Sequence, residues 1–250
     1  MPKVLFEVRD NVALLRLNNP QKRNMLSLAV CEQIVGYVQQ AEADAKVKAL
    51  IVTGSGAVFC AGGELKDLTP NRQVLEKIYS GFLSIANCKL PTIAAVNGPA
   101  VGAGFNLAVG CDVRIVTEAA RFEPRFFGLG LHPGGGNTWM LRQIANWNTA
   151  AGMLLFSQSL SGREAVEKGL AWKCVEEGCL IAEAFKFTAN IRQLPKELLL
   201  RTKRTLRRAG GTNSHGEILD LETAEQLWSI EQPYARDSIA AMREKISSKT

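Results

Sequence analysis

The sequence predicts an α/β protein that ends in a helical section. Short apolar segments bounded by Gly, Pro or Asn alternate with segments of helical periodicity in the first half of the 250 residues. The apolar segments carry few polar residues, which is typical of strands covered on both faces. Beyond about Thr138, strand signals become scarce and helical segments follow one another.

The N-terminal half opens with a predicted hairpin, because residues 4–8 and 12–17 are strand-like and flank the turn residues Asp10 and Asn11. Ser27 then stands where a helix cap is expected, ahead of apolar residues at helical spacing. Further predicted strands end in turn residues and cover 49–53, 92–96 and 113–116. The predicted helices between them cover about 73–86 and begin near Ala103.

The C-terminal half contains segments that favour helices. These segments cover 148–157, 161–169, 181–192, 195–208, 217–229 and 236–246. We therefore predict two parts, an α/β core over residues 1–190 and a helical region over 191–250.

The composition excludes several classes of protein. Hydrophobic residues make up 46% and charged residues 22%, as in ordinary soluble proteins. No apolar run approaches the roughly 18 residues of a transmembrane helix, and Glu7 and Arg9 come too early for a signal peptide. Six cysteines without a CxxC pair, and two histidines away from them, predict free thiols and no metal site. We expect a cytoplasmic protein without a membrane partner.

The net charge of +6 is concentrated in one segment, since residues 192–208 hold seven basic side chains and only Glu197 as an acid. Such a stripe attracts phosphates on a cofactor or on nucleic acid, or is simply a solvated helix face. It lacks the interleaved aromatic residues on which bases stack, so nucleic acid is not an expected partner.

Two glycine-containing loops, 59–65 and 97–104, each follow a predicted strand, and the second opens into a helix. Small residues let a ligand approach the backbone, and the free N–H groups of a helix N-terminus favour negative charge. If each loop turned one N–H group towards the same point, the pair would form an oxyanion hole. The P-loop, zincin and nucleophile-elbow motifs are absent from the sequence.

The ordered set of motifs resembles the enoyl-CoA hydratase/isomerase (crotonase) superfamily over almost the whole chain. The motifs lie at 17–26, 59–63, 94–104, 111–112, 133–136 and 161–170. The resemblance implies a spiral core of ββα units and a C-terminal helical region used in trimer formation, with trimers often paired into hexamers. It also implies an acyl-CoA ligand. Coenzyme A is then part of the substrate, and no separate cofactor is expected.

The resemblance assigns roles to particular residues. The N–H groups of Gly63 and Ala103 match the family's oxyanion hole for the thioester carbonyl. Lys22 and Arg23 lie where the family passes the CoA nucleotide. The loop from Ala61 to Leu65 usually flanks the adenine, and the basic segment 192–208 is a candidate for the CoA phosphates.

The family's catalytic acids are missing from the positions that match them. Hydratases of the family carry two glutamates, and the corresponding positions here are Asn106 and Phe126. We assign Phe126 to substrate binding. Some isomerases carry a glutamate just after the matching proline, and that position is Gly134 here. None of these side chains transfers a proton in the way a carboxylate does.

Glu123 and His132 are the remaining candidates for proton transfer. Glu123 lies about a helical turn before position 126, and its alternative role is to cap a helix that begins near Pro124. His132 precedes the loop 133–136, which the family folds near the acyl group. His132 is either a base or a structural histidine, and we favour it over Glu123 as the proton carrier.

The function predicted from these residues is an acyl-CoA enzyme that works through an enolate and without the usual glutamate pair. One alternative is an acyl-CoA-binding protein without turnover. Another is hydrolytic C–C cleavage of a diketone with His132 as the base.

Overall fold

The computed structural model describes residues 2–67, 69–212 and 214–247. It divides into two compact units, residues 1–192 and 193–250. Within the predicted helical region 191–250, residues 213 and 248–250 lie outside the part that the structure describes.

Among the described residues, the first unit contains all of the strands and seven α-helices. The strands are β1 (Val4–Arg9), β2 (Val12–Leu17), β3 (Ala49–Gly54), β4 (Thr92–Val96), β5 (Pro99–Val101), β6 (Val113–Thr117), β7 (Arg121–Glu123), β8 (Leu160–Ser161) and β9 (Lys173–Val175). The helices are α1 (Leu28–Ala43), α2 (Arg72–Ala86), α3 (Ala103–Val109), α4 (Asn137–Ile144), α5 (Trp147–Leu155), α6 (Gly162–Glu167) and α7 (Leu180–Phe187). This mixture of strands and helices confirms the α/β prediction.

The main sheet has the strand order β1-β2-β3-β4-β6-β9. β1 and β2 are antiparallel and form the predicted hairpin, with Asp10 and Asn11 at φ 51° and 62° in its turn. Positive φ at both central residues gives a turn whose twist matches that of the strands. The remaining neighbours are parallel. A small second sheet has the order β5-β7-β8.

The core forms because both faces of the main sheet are covered. Alternate residues of β2, β3, β4 and β6 face α7, where Leu180 and Phe185 complete a buried apolar cluster. The intervening residues, such as Leu15, Leu50 and Val96, are also buried. This explains why the strands read as almost continuous apolar runs.

The helix starts follow local capping chemistry. The Ser27 Oγ accepts a hydrogen bond from the Val30 N–H at the start of α1, as predicted. The Asn71 Oδ1 caps α2 through the Gln73 N–H at 2.9 Å. At the start of α6, Ser161 and Glu164 form a capping box.

Several expected elements differ from the observed ones. The helix expected over 181–192 ends at Phe187, and Thr188 caps its last turn. Strands β5, β7, β8 and β9 were not predicted, because two or three residues are too short to show alternation, and β5 lies inside the expected loop 97–104. The helix α4 was not predicted either.

The second unit consists of helices in its described residues. They are α8 (Lys196–Ala209), α9 (His215–Ile230) and α10 (Pro233–Ser247). The helix expected over 236–246 begins earlier, at Pro233, because proline is tolerated at the first position of a helix, where its missing N–H is not needed.

Candidate active site

The first glycine loop is fixed by the segment before α1. The buried side chain of Asn24 donates hydrogen bonds to the carbonyl oxygens of Ser55 (2.9 Å) and Val58 (2.7 Å), which brings the chain after β3 back against residues 23–26. The Ala61 N–H then donates to the Arg23 carbonyl oxygen at 3.0 Å. Two of the predicted substrate-binding residues, Arg23 and Ala61, are therefore in direct backbone contact.

Gly63 has an N–H group that points away from Leu26, with which it forms an isolated parallel bridge. Leu26 pairs with the residues on either side of Gly63, since the Leu26 N–H donates to Gly62 and the Leu26 carbonyl accepts from Glu64. In such a parallel pairing, the N–H of the central residue faces the opposite side. Within the described part of the chain, the Gly63 N–H donates no hydrogen bond.

The second glycine loop runs beside the first. The Cys60 N–H donates to the Pro99 carbonyl oxygen at 3.1 Å, and the Val101 N–H donates to the Cys60 carbonyl oxygen at 2.9 Å. Gly104 packs so tightly on Cys60 that a Cβ at 104 would overlap the Cys60 carbonyl oxygen. Glycine at 104 is therefore required for the two loops to lie in contact.

Ala103 is the first residue of α3, as predicted from the sequence, and Gly102 precedes it at φ 52°. The N–H of a first helical residue has no partner inside the helix. Among residues 2–67, 69–212 and 214–247, no acceptor is found for the Ala103 N–H. A Cβ built on Gly62 would lie 3.6 Å from the Ala103 nitrogen, so the two unpartnered N–H groups belong to adjacent pieces of backbone.

The other substrate-binding candidates lie at the surface beside the first loop. Lys22 ends a short 3₁₀ turn (Pro20–Lys22), and Arg23 follows it at φ 50°, with both side chains exposed. Leu65 begins a second 3₁₀ turn, and 66% of its surface is exposed. Beside it, Lys66 hydrogen-bonds the Glu64 carboxylate at 2.6 Å and thereby lowers the pKa of Glu64.

The side chain of Asn106 connects α3 to the glycine-rich loop 133–136. Its Nδ2 donates to the Gly134 carbonyl oxygen at 2.9 Å, and its Oδ1 accepts from the Asn137 Nδ2 at 2.6 Å. Asn106 and Asn137 are both buried. Asn137 was missed by sequence reasoning, because its partner lies 31 positions away and no local pattern connects them.

Glu123 is the last residue of β7 and lies beside the start of α3. Its carbonyl oxygen accepts a hydrogen bond from the Gly102 N–H at 2.9 Å, and its Cα pairs with that of Val101. Its carboxylate contacts the Arg125 guanidinium at 2.8 Å. The expected role of Glu123 as a helix cap near Pro124 is wrong, because Arg125 has φ 46°, which no right-handed helix contains.

Phe126 and His132 lie in the segment between β7 and α4. Phe126 is half-buried and precedes a 3₁₀ turn (Phe127–Leu129). His132 is exposed, and its Nδ1 lies 2.7 Å from the carbonyl oxygen of Pro133. In the described residues, no hydrogen bond joins His132 to Gly63, Ala103 or Glu123.

The cysteines are free thiols, as predicted, and four of them are buried. Cys60 lies in the first glycine loop, but burial raises the pKa of its thiol to about 12. The neutral thiol is a weak nucleophile, since the thiolate is the reactive form. Cys60 therefore contributes packing to the site rather than covalent chemistry.

Acidic residue Asp112, at the α3–β6 junction, has a structural environment. Its Oδ2 accepts hydrogen bonds from the Thr92 N–H (2.7 Å) and the Thr92 hydroxyl (2.9 Å).

In the second unit, part of the positive charge of the basic segment 192–208 is neutralised by ion pairs between its own helices, since Arg201 and Arg204 pair with Glu225.

The fold matches solved structures of one class. An enoyl-CoA hydratase of Bacillus anthracis superimposes with a TM-score of 0.91 at 25% identity, covering 98% of this chain and 97% of that chain. An enoyl-CoA hydratase of Polaromonas sp. JS666 gives 0.89 at 28% identity, with 97% of each chain covered. These likenesses confirm the crotonase-like fold.

Sequence comparison gives the family. The enoyl-CoA hydratase/isomerase model matches residues 7–248. A probable enoyl-CoA hydratase of Mycobacterium tuberculosis is 38% identical over 97% of this chain and 98% of its own. The 1,2-epoxyphenylacetyl-CoA isomerase of Escherichia coli K12 is 32% identical over 99% and 97%. The chain belongs to the enoyl-CoA hydratase/isomerase family, which confirms the resemblance.

Among the described residues, no helix combines the length and the apolar character needed to span a membrane.

Proposed function

We propose that the protein binds an acyl-CoA thioester and polarises its carbonyl group with the N–H groups of Gly63 and Ala103. The observation that carries the proposal is this pair of unpartnered backbone donors on two loops in contact. Preorganised N–H groups stabilise the negative charge that develops on a thioester oxygen, and they do so without reorganisation during the reaction. Lys22 and Arg23, beside the first loop, supply positive charge for the CoA phosphates.

The proposed chemistry passes through an enolate but is not ordinary hydration. We infer that Asn106 and Phe126 occupy the positions of the family's hydratase glutamates. The amide of Asn106 is already used on both its nitrogen and its oxygen, and an amide does not transfer a proton as a carboxylate does. No cofactor beyond the coenzyme A of the substrate is needed for this chemistry.

We propose that the proton carrier is Glu123 or His132, and we favour Glu123 on the positions of the two residues. Glu123 lies on the strand that pairs with the residues leading into Ala103. His132 is exposed and interacts with its own neighbouring residue. Of these two residues, Glu123 is therefore the better placed to act on a thioester near Ala103, and Arg125 holds its carboxylate.

An acyl-CoA-binding protein without turnover is the second candidate. It is favoured by the same observation that argues against hydration, namely the absence of carboxylates at positions 106 and 126. The two candidates differ only in whether any proton is moved once the thioester is bound.

We further propose that the second unit serves self-association into a homotrimer or hexamer in the cytoplasm. Several large apolar side chains of its helices are exposed: Leu206, Leu219, Leu227, Ile230, Tyr234, Ile239, Met242 and Ile246. Exposed apolar surface of this extent is typical of protein–protein contacts. Light scattering of the full chain should give a mass of three or six protomers, and a monomer would contradict this proposal.

The test of the proposed function compares two ligands by calorimetric titration. Butyryl-CoA carries the thioester oxygen, whereas the S-butyl-CoA thioether lacks it. We expect butyryl-CoA to bind about tenfold more tightly or better, because each hydrogen bond contributes about 1 kcal/mol. Equal affinities would contradict the polarising pair, and failure of both ligands to bind would contradict acyl-CoA binding.

A crotonyl-CoA assay separates hydration from the proposed chemistry. General acid–base groups contribute about 10²–10⁴-fold each. Hydration should therefore be at least about a hundredfold slower than that of a family hydratase with both glutamates. A hydration rate equal to that of such a hydratase would show that positions 106 and 126 do not correspond to the family's two glutamates.

A further inference from the structure

We propose that Tyr79 determines acyl specificity by donating a hydrogen bond from its phenolic hydroxyl to an oxygen on the acyl chain. The substrate class is then an acyl-CoA with a keto or hydroxyl oxygen at the β-carbon or beyond. This inference rests on the proposed acyl-CoA function and specifies its substrate.

One face of α2 packs against the backbone that surrounds the candidate site. A Cβ built on Gly63 would lie 4.0 Å from the Ile78 Cγ2. A Cβ on Gly134 would lie 2.5 Å from the Tyr79 hydroxyl oxygen, and one on Gly135 would overlap the Phe82 ring. Ile78, Tyr79 and Phe82 therefore form a wall between the first glycine loop and the loop 133–136.

The hydroxyl of Tyr79 occupies the space that a side chain at position 134 would need. The position after the matching proline carries a glutamate in some isomerases of the family, as the resemblance implies. Here glycine stands at 134, and any larger side chain at that position would overlap the phenol of Tyr79. The absence of a side chain at Gly134 thus leaves room for the Tyr79 ring, and the Tyr79 hydroxyl oxygen is the polar atom at this place.

Nothing in the described part of the chain satisfies the Tyr79 hydroxyl, although its ring is half-buried and packs on Phe82 with centroids 5.6 Å apart. The neighbouring polar side chain, Asn106, has its nitrogen and oxygen engaged with Gly134 and Asn137. The Tyr79 hydroxyl is therefore the group of this wall that has a donor to offer.

Selectivity follows from the cost of leaving that donor unpaired. A hydrocarbon acyl group that covered Tyr79 would remove water from the hydroxyl and return no hydrogen bond. An acyl group with a matching oxygen avoids this cost. Sites built to hydrogen-bond a substrate oxygen reject analogues that lack it more strongly than apolar pockets reject one extra methylene.

The test measures the affinities of acetoacetyl-CoA and butyryl-CoA, which differ in the 3-keto oxygen, for four proteins. These are the wild type, Tyr79→Phe, Gly134→Ala and the control Tyr37→Phe, whose ring stacks on Phe6 in the hairpin. We expect the wild type and Tyr37→Phe to prefer acetoacetyl-CoA by about tenfold. Tyr79→Phe and Gly134→Ala should lose this preference, the latter because its Cβ displaces the hydroxyl. In Tyr79→Phe, butyryl-CoA should bind more tightly than to the wild type, because the hydroxyl that its acyl chain leaves unpaired is gone.

The other outcomes would contradict either the role of Tyr79 or the proposed function. If the wild type shows no preference, or Tyr79→Phe keeps it, the role of Tyr79 is wrong and acyl-CoA binding stands. If neither ligand binds to the folded wild type, the proposed function itself is wrong. Thermal unfolding of each variant establishes that it is folded, and Gly134→Ala tests the same hydroxyl without altering the tyrosine.

Discussion

The Nδ2 group of Asn106 donates a 2.9 Å hydrogen bond to the carbonyl oxygen of Gly134, and this contact joins α3 to the loop 133–136. An ionised carboxylate is an acceptor only and cannot make it. The residue at 106 thus has a structural function in this chain that a glutamate could not perform.

Asn106→Asp should therefore destabilise the fold. The carboxylate would face the Gly134 carbonyl oxygen inside the protein, leaving an acceptor without its donor, at a cost of about 1–3 kcal/mol. The free energy of unfolding from urea titration measures the effect. The matched control is Asn146→Asp, where the side chain accepts from the Thr149 N–H and a carboxylate caps equally well. Equal effects of the two substitutions would contradict the donor role of Asn106.

Gly104→Ala should be strongly destabilising, whereas Gly36→Ala should be neutral or stabilising. A methyl at 104 would overlap the Cys60 carbonyl oxygen and force the two glycine loops apart, while a Cβ at 36 meets nothing within 4 Å. Overpacking typically costs about 1–3 kcal/mol, and alanine in a helix gains about 0.5–1 kcal/mol over glycine. Thermal unfolding compares the variants. A Gly104→Ala protein as stable as the wild type would show that the loops are not in contact.

Stability should fall at alkaline pH because of the buried thiols. Burial raises the pKa values of Cys31 and Cys60 from 9.0 to about 12. Between those values the unfolded chain loses protons that the folded chain retains, so the stabilising contribution is complete below pH 9 and is lost as the pH rises towards 12. Urea midpoints at pH 8 and pH 10 measure this loss. The drop should be smaller in Cys60→Ala, and an identical drop would contradict the assignment.

Glu123→Gln should lower turnover more than His132→Gln, once a substrate has been found by screening enoyl-CoAs and ketones. The amide keeps the shape of the side chain but cannot transfer a proton, and loss of a general acid–base group costs about 10²–10⁴-fold. Steady-state rates at matched stability provide the comparison. Full activity in Glu123→Gln with loss in His132→Gln would restore the histidine as the proton carrier. Full activity in both would exclude both residues.

The sequence patterns were sufficient for the long strands and for the start of α3. Strands β2, β3, β4 and β6 are apolar runs that end in turn residues, and such runs require burial on both faces. β1 is an edge strand with several exposed residues, and it was predicted from its pairing with β2 across the Asp10–Asn11 turn. The short strand β7 could not be predicted, since three residues carry no periodicity. Pro124 suggested a helix start, but the positive φ of Arg125 is set by tertiary contacts that no local rule contains.

The candidate site was only partly predictable for a related reason. Gly63 and Ala103 stand in loops with recognisable composition, and their exposed N–H groups follow from strand pairing and helix geometry. Tyr79 and Asn137 lie on helices whose periodicity says nothing about a partner across the fold. Their contacts with Gly134 and Asn106 appear only when α2, α3 and α4 are packed together.

The most direct test of the polarising pair is the affinity of Ala103→Pro for butyryl-CoA. Proline fits the first position of a helix, and Gly102 before it has no Cβ to clash with the ring, so the change removes the N–H and little else. Butyryl-CoA should bind about tenfold more weakly than to the wild type or to Ala103→Gly, while the S-butyl-CoA thioether should bind unchanged. Undiminished binding of butyryl-CoA by the folded Ala103→Pro protein would contradict the account.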